Sequence, residues 1–389
     1  MSSHGIRRDQ VHTTIGLLIK QLVGLTDSSS KYLVHLSDGR IIDTKGWNGW
    51  DWTHGVGLYG IWKYYELTGN PEHLTIIENW FDSHFQAGST EKNINTMSVF
   101  LTLACVYEKT RNPIYLPWLE AWAEWAYRDL PRTQYGGMQH ITYVKDNTEQ
   151  LWDDTLMMTA LPLAKIGKLL GRPHYVEEAL RQMLILIQYL FDHRTGLFFH
   201  GWKFESRDDG QAGHNFADAR WARGNSWLTI VIPEMLELLQ DDDSSPALGA
   251  LRHHLINTLT AQCRALAKHQ DPDTGLWRTL LDHSESSGSY PEASATAGFA
   301  YGMLKARRLR LLPLEVGLQS VTRTYDEIAT AAIKGVLNNV SPEGELLQAS
   351  FGTGMGDTLQ FYKDVPKTAM PYGQAMAIMA LAEVARLFY

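Results

Sequence analysis

Two adjacent carboxylates, Asp153 and Asp154, stand in Trp152-Asp153-Asp154-Thr155, directly before the apolar run Leu156-Met157-Met158-Thr159-Ala160-Leu161. Carboxyls this close perturb each other. The charge of one, together with burial, keeps the other protonated, as a general acid at neutral pH requires. The same residues also read as a helix N-cap, and a helix N-terminus lowers an Asp pKa, which works against the acid role. The neighbouring ring of Trp152 and the long connection over residues 130–150 favour the chemical reading.

Four further segments carry groups of interest. His200-Gly201-Trp202 is followed by Phe216-Ala217-Asp218-Ala219-Arg220-Trp221-Ala222-Arg223-Gly224-Asn225-Ser226-Trp227, where Arg220, Arg223 and Trp227 recur at spacings of three and four and share a helix face. An Arg fork beside an indole grips a carboxylate while the ring stacks on a sugar; an inter-helix salt bridge is the structural alternative. Lys45-Gly46-Trp47-Asn48-Gly49-Trp50-Asp51-Trp52-Thr53-His54-Gly55 sets three indoles, Trp52 among them, in a Gly-rich loop suited either to sugar stacking or to packing. His140, in Gly136-Gly137-Met138-Gln139-His140, is a candidate for positioning substrate or water, or a structural histidine. Asn93-Ile94-Asn95-Thr96 reads as an N-cap, with Asn95 able to face the same site.

The elements that must position these groups are helices. The 3.6-residue pattern predicts twelve, near 9–25, 54–68, 72–86, 95–110, 115–129, 154–171, 174–192, 218–240, 246–268, 292–309, 321–338 and 370–387. Short strands are expected near 136–144 and 197–204. Thr68-Gly69-Asn70-Pro71, Thr110-Arg111-Asn112-Pro113 and Leu170-Gly171-Arg172-Pro173 each end one helix and start the next, with Gly or Asn suited to the left-handed position and Pro to the first turn. Asp192-His193-Arg194-Thr195-Gly196-Leu197-Phe198, Asp271-Pro272-Asp273-Thr274-Gly275-Leu276-Trp277 and, more weakly, Ser341-Pro342-Glu343-Gly344-Glu345-Leu346 begin longer loops. Tight turns alternating with long loops describe a closed ring of helical hairpins, an all-α (α/α)6 barrel spanning 1–389 as one catalytic domain. The 389-residue length would otherwise suggest two domains. The long loops share one rim, where a site belongs. Asp241-Asp242-Asp243-Ser244-Ser245 reads as a solvated turn.

Composition narrows the partners. A net charge of −8 without a basic stripe argues against nucleic acid. No apolar stretch is long enough to span a membrane, and Met1 to Gln10 is polar without an apolar signal core, so a cytoplasmic protein, monomeric or weakly dimeric, is expected. Cys105 and Cys263 lie in apolar helical patterns as buried free thiols. His and Cys spacing offers no metal site, and phosphate-loop, dinucleotide and nucleophile-elbow motifs are missing, so no metal or cofactor is expected. Thirteen Trp and seventeen Tyr are the unusual feature. Trp47, Trp50, Trp52, Trp152, Trp202 and Trp277 fall in polar turns, where rings suit flat sugar faces or plug helix ends.

Together these segments resemble the unsaturated glucuronyl and rhamnogalacturonyl hydrolases, glycoside hydrolase families 88 and 105, most closely family 105. The resemblance rests on Gln150-Leu151-Trp152-Asp153-Asp154-Thr155-Leu156-Met157-Met158, His200-Gly201-Trp202, Arg220 to Trp227, and Ser289-Tyr290-Pro291-Glu292-Ala293-Ser294-Ala295-Thr296-Ala297-Gly298. It implies an (α/α)6 barrel acting on oligosaccharides that end in a 4,5-unsaturated uronic acid, by hydration of the double bond rather than direct glycoside cleavage. It further implies that Asp154 is the acid and base, held protonated by burial. His140, His200, Trp221, Arg223 and Trp227 are implied to contact substrate; Trp52, Asn95 and Asp153 are candidates for the same site from their own segments, and Arg223 can supply the cation for the uronate carboxylate. Some relatives carry a second aspartate where this chain has Asn95. A sugar epimerase working through paired histidines and a non-catalytic carbohydrate-binding toroid are the alternatives on the same barrel; Met157 stands where the metal motif of a terpene cyclase would need a third Asp.

Overall fold

The computed structural model describes residues 2–3, 5–206, 210, 212–240 and 246–388. The acidic run Asp241 to Ser245 therefore lies outside the described residues. Helices follow one another in a strict alternation. The inner set is α2 (Trp52–Thr68), α4 (Val99–Thr110), α6 (Leu161–Leu169), α8 (Ala222–Leu238), α10 (Ala293–Arg308) and α13 (Pro371–Phe388). The outer set is α1 (Arg8–Val23), α3 (Pro71–Ala87), α5 (Leu116–Glu124), α7 (Pro173–Leu190), α9 (Pro246–His269) and α11 (Tyr325–Asn338), and a five-residue helix, α12 (Leu359–Lys363), lies on a loop. Each inner helix packs on the next, and α13 closes the ring against α2. The outer helices lie on the inner ones as hairpin partners, with α1 against α13. The fold is an (α/α)6 barrel.

Residue type decides which helix goes where. A helix apolar on every side must be enclosed. In α13 every residue from Pro371 to Ala385 is buried, and in α10 every residue from Ala293 to Ala306. Outer helices bury one stripe: α3 buries Ile77, Trp80 and Phe81 and leaves the rest at least partly exposed. Small residues let the inner helices approach. A Cβ on Gly60 would stand 2.7 Å from the Ala375 Cα, and one on Gly302 would overlap the Thr229 carbonyl.

The tight turns form as expected at Gly69 and Gly171, both left-handed (φ 65° and 63°). At the middle turn the left-handed residue is Arg111 (φ 54°) rather than Asn112, whose side chain instead accepts from the Ile114 N–H. The strands expected near 197–204 are present at Leu197–Phe198 and Gly201–Phe204, and the other strand expectation needs correction. Residues 136–144 form no strand, only the isolated bridge Arg132–Met138. Gln150–Trp152, Gly201–Phe204 and Gly213–Asn215 form a three-stranded antiparallel sheet, with Trp152 opposite Gly201. That sheet ties the Asp153 segment to the His200 segment across the rim. Among the described residues no helix is long and apolar enough to cross a membrane.

Replacing Gly302 by Ala forces α8 and α10 apart at backbone level. We expect a loss of about 1–3 kcal/mol, the usual penalty for overpacking, read as a lower midpoint in chemical denaturation. An unchanged midpoint would show that the ring tolerates wider spacing.

Candidate active site

Asp154 is fixed at both oxygens. Trp227 donates its indole N–H to Oδ1 at 3.0 Å, and His200 Nε2 meets Oδ2 at 3.2 Å. The far nitrogen of His200 faces the Tyr362 hydroxyl at 2.8 Å. With Asp154 ionised, His200 carries its proton on Nε2, and Nδ1 accepts from Tyr362. These groups come from four parts of the chain: the segment leading to α6, the bend just before the central strand of the sheet, α8 and α12. Trp221 packs on His200 with ring centres 4.4 Å apart, and His140 stacks flat on Trp152 at 4.2 Å while its Nδ1 meets the Thr155 hydroxyl at 2.9 Å. Burial holds the His140 imidazole down at about 4, so it is neutral.

The two carboxylates have opposite states. Asp153 is wholly buried and neither oxygen has a hydrogen-bond partner. Burial first, then the charge of Asp154, pushes its carboxyl well above the usual range. Burial pushes Asp154 upward too, but the His200 hydrogen bond outweighs it and brings Asp154 down to about 2. Donors on Asp154 and none on Asp153 therefore favour the ion on Asp154 and the proton on Asp153. That direction runs against the expectation that Asp154 is the member held protonated. The capping alternative does not hold, because Asp153 has no hydrogen-bond partner and Asp154 is held by Trp227 and His200.

Arg223 corrects a second expectation. It is wholly buried, and its N–H groups go to the Ser350 carbonyl (2.7 Å), the Ser350 hydroxyl, the Phe351 carbonyl (2.9 Å) and the Thr353 hydroxyl (2.9 Å). Its charge lies over the rings of Trp221 (4.5 Å), Tyr372 (4.7 Å) and Trp52 (5.9 Å). It thus orders the 350–353 loop instead of presenting its fork to the rim. Glu292 holds the same loop from the other side, accepting from the Ser350 N–H at 2.8 Å. Arg220 takes the salt-bridge alternative, pairing with Asp192 (2.5 Å) and Asp282 (2.8 Å).

A cleft of about 500 Å³ opens at this rim, within the range that holds a small oligosaccharide unit. Trp52, Asn95 and Trp152 line it, together with Asp51, Tyr143, Phe351 and Phe361. Trp52 stacks on Tyr372 and sets its edge against Trp227, which links the cleft wall to the group holding Asp154. Asp154 itself exposes 11% of its side chain. His140, Asp153, His200, Trp221, Arg223 and Trp227 are 1% exposed or less, so they form the layer behind that opening. Asn95 does not cap: Asn93 Oδ1 accepts from the N–H groups of Asn95 and Thr96. Of the six turn tryptophans, Trp52 and Trp152 reach the cleft; Trp50 and Trp277 are buried core. Sequence reasoning missed Tyr362, Asp51 and the 351–357 wall. The glycines of Gly352-Thr353-Gly354-Met355-Gly356 were the visible sign of a loop there.

Asp153, Asp154 and His200 bring ligand-type atoms within 4.8 Å of one another, a juxtaposition their sequence spacing does not reveal. His200 already uses one nitrogen on Asp154 and the other on Tyr362, so a cation would have to break those bonds.

Comparison with known proteins agrees with this architecture. The profile described as Glycosyl Hydrolase Family 88 matches residues 26–388, and the chain belongs to that family. It is 30% identical over 340 residues to the unsaturated rhamnogalacturonyl hydrolase YesR of Bacillus subtilis, covering 86% of this chain and 89% of that one. It is similar to a solved structure described as a possible GH105 member from Salmonella enterica (56% identity, TM-score 0.92, 100% of this chain and 97% of that one). A second such structure, from Klebsiella pneumoniae, gives 54% identity, TM-score 0.91 and coverage of 100% and 96%.

Two outcomes are expected. A group whose folded pKa is raised keeps a proton that the unfolded chain releases, so Asp153 costs wild-type stability as pH rises from about 4. Asp153→Asn lacks that loss, and its melting temperature should gain on the wild type steadily with pH. A pH-independent difference between the two would contradict the assignment of the proton. Arg223→Ala should lower stability by about 2–4 kcal/mol, as loss of several buried hydrogen bonds does. A stable variant with weakened substrate binding would instead mean that Arg223 meets substrate directly.

Proposed function

We propose that this protein removes a non-reducing-end 4,5-unsaturated uronic acid from oligosaccharides left by a polysaccharide lyase, most readily an unsaturated rhamnogalacturonan disaccharide. The observation that carries the proposal is the buried carboxylate pair, one member without partners and one held by an indole and an imidazole, beside an aromatic cleft. The likeness to the Bacillus enzyme over most of both chains supports the substrate class.

Hydration of an enol ether needs a proton at C4 and a water oxygen at C5. Asp153 stores the proton but is sealed from solvent; Asp154 is partly open to it. When the anionic uronate enters, its charge raises the proton affinity of Asp154, and the proton passes from Asp153 across the short gap between them. Asp154 then protonates C4. The carboxylate so formed takes a proton from water as the water oxygen bonds to C5. The resulting hemiketal opens and the glycosidic link breaks. His200 and Trp227 keep Asp154 in place through both protonation states.

An ordinary two-carboxylate glycosidase fits less well, because its carboxyls flank the scissile bond from opposite sides, whereas Asp153 and Asp154 are neighbours in one wall. A histidine-pair epimerase fits poorly too: His140 and His200 are both buried around Trp152, and neither lines the cleft. The chain 1–389 is proposed to work as one catalytic unit, monomeric or weakly dimeric. Its buried free thiols at Cys105 and Cys263 suit a reducing compartment such as the cytoplasm.

Asp154→Asn should abolish the loss of ultraviolet absorbance as the conjugated enol acid of an unsaturated disaccharide is consumed, with the circular dichroism spectrum unchanged. Retained activity in that variant would overturn the proposal. Treatment with a chelator should leave the rate unaltered; loss of activity restored by a divalent ion would place a metal among Asp153, Asp154 and His200.

A further inference from the structure

His200 is held by its backbone before its ring makes any contact. Its N–H donates to the Ala219 carbonyl and its carbonyl accepts from the Asp153 N–H, both at 3.0 Å. The ring then meets Asp154 at Nε2 and the Tyr362 hydroxyl at Nδ1. What the backbone leaves open is which ring nitrogen carries the proton, and whether both do.

Tyr362 occupies a small apolar pocket with Ala219, Trp221 and Leu280 and is wholly buried. Met355, Asp357 and Phe361 beside it line the cleft, but Tyr362 does not. A phenylalanine ring would fill that pocket equally well, so the hydroxyl is what distinguishes the residue. Burial pushes this hydroxyl above its usual range and keeps it an O–H. Its oxygen already accepts from the Gly356 N–H at 3.2 Å. Two acceptors are within reach of its proton: His200 Nδ1 at 2.8 Å and the Met355 thioether at 3.6 Å. A thioether is a weak acceptor, whereas the bare nitrogen of a neutral imidazole is a full one.

We infer that Tyr362 is a positioning residue for the reaction: by donating to Nδ1 it holds His200 as the neutral Nε2–H tautomer. Its role in turnover rests on the proposed function; the tautomer itself does not. With Nδ1 committed as an acceptor, the Nε2–H is the one that faces Asp154, as a carboxylate requires. His200 also gains no second proton unless the Tyr362 hydroxyl gives up Nδ1 for the thioether. A proton passed from Asp153 to Asp154 therefore stays on the carboxyl for delivery to C4 instead of draining into the imidazole.

The test begins with nitrogen NMR of the histidine side chains in the resting enzyme at neutral pH, the His200 signals being identified by their loss in His200→Gln or His200→Asn. Wild-type His200 should show a protonated Nε2 and a bare, hydrogen-bonded Nδ1. In Tyr362→Phe the Nδ1 resonance should move while Nε2 stays protonated. Kinetics on an unsaturated rhamnogalacturonan disaccharide give the second readout. Tyr362→Phe should lower kcat about tenfold, the equivalent of one hydrogen bond, and leave KM within about threefold. A wild-type His200 protonated at Nδ1 overturns the inference without any variant. So does a Tyr362→Phe enzyme with an unmoved Nδ1 resonance or with wild-type kcat. A raised KM with kcat intact would make Tyr362 a substrate contact and overturns it as well. A wild type inactive on every unsaturated disaccharide overturns the proposed function itself, an outcome distinct from active enzyme with His200 in the other tautomer.

Discussion

Six inner helices run in the same direction around one axis, and much of the molecule follows from that constraint. Each inner helix must return through an outer partner, so tight turns collect at one rim and long loops at the other. Parallel helices also align their dipoles, with the positive ends at the loop rim and the negative ends opposite. The rim that gathers N-termini tolerates an ionised Asp154 and an anionic ligand. The opposite end gathers carbonyls, and there the structure places Lys63, Lys165, Lys305, Arg308 and Arg386. These are held by Glu66, Glu108, Glu234, Glu237 and Glu383 in a largely buried network, with Lys305–Glu234 and Lys63–Glu66 both at 2.7 Å. That network satisfies one end of the barrel and leaves the other free for chemistry.

The site depends on a difference between two identical side chains. Asp153 and Asp154 are neighbours, yet one faces the Gly224 backbone with no partner and the other receives an indole N–H and an imidazole. A Cβ on Gly224 would overlap the Asp153 carboxylate, so the glycine is what admits the buried acid. Burial without partners favours the neutral form; donors favour the ion. The sheet that pairs Trp152 with Gly201 and the α8 helix that carries Trp227 deliver those donors from distant parts of the chain. The proposed mechanism divides proton storage and proton delivery between these adjacent residues.

Aromatic side chains act in two layers. Trp221, Trp227 and Tyr372 are buried and brace His200, Asp154 and Arg223. Trp52 and Trp152 lie over them and line the cleft. The high Trp content therefore serves rigidity at least as much as sugar stacking, since a carboxylate whose pKa depends on three or four neighbours needs those neighbours fixed.

The sequence by itself determined the twelve barrel helices, the hairpin alternation and the segments that meet at the rim, because periodicity, Gly and Pro turns and contiguous motifs are local. Helices expected near 54–68, 72–86 and 246–268 lie at 52–68, 71–87 and 246–269. It also singled out Trp152-Asp153-Asp154-Thr155. What it did not determine was which aspartate keeps the proton, where Arg223 spends its hydrogen bonds, and that Tyr362 and Asp51 belong to the same rim. Each of those is a contact across a large sequence separation: 46 residues from Asp154 to His200, 73 to Trp227, and 162 from His200 to Tyr362. A pKa is set by burial and donors in three dimensions, and only closure of the ring brings those groups together.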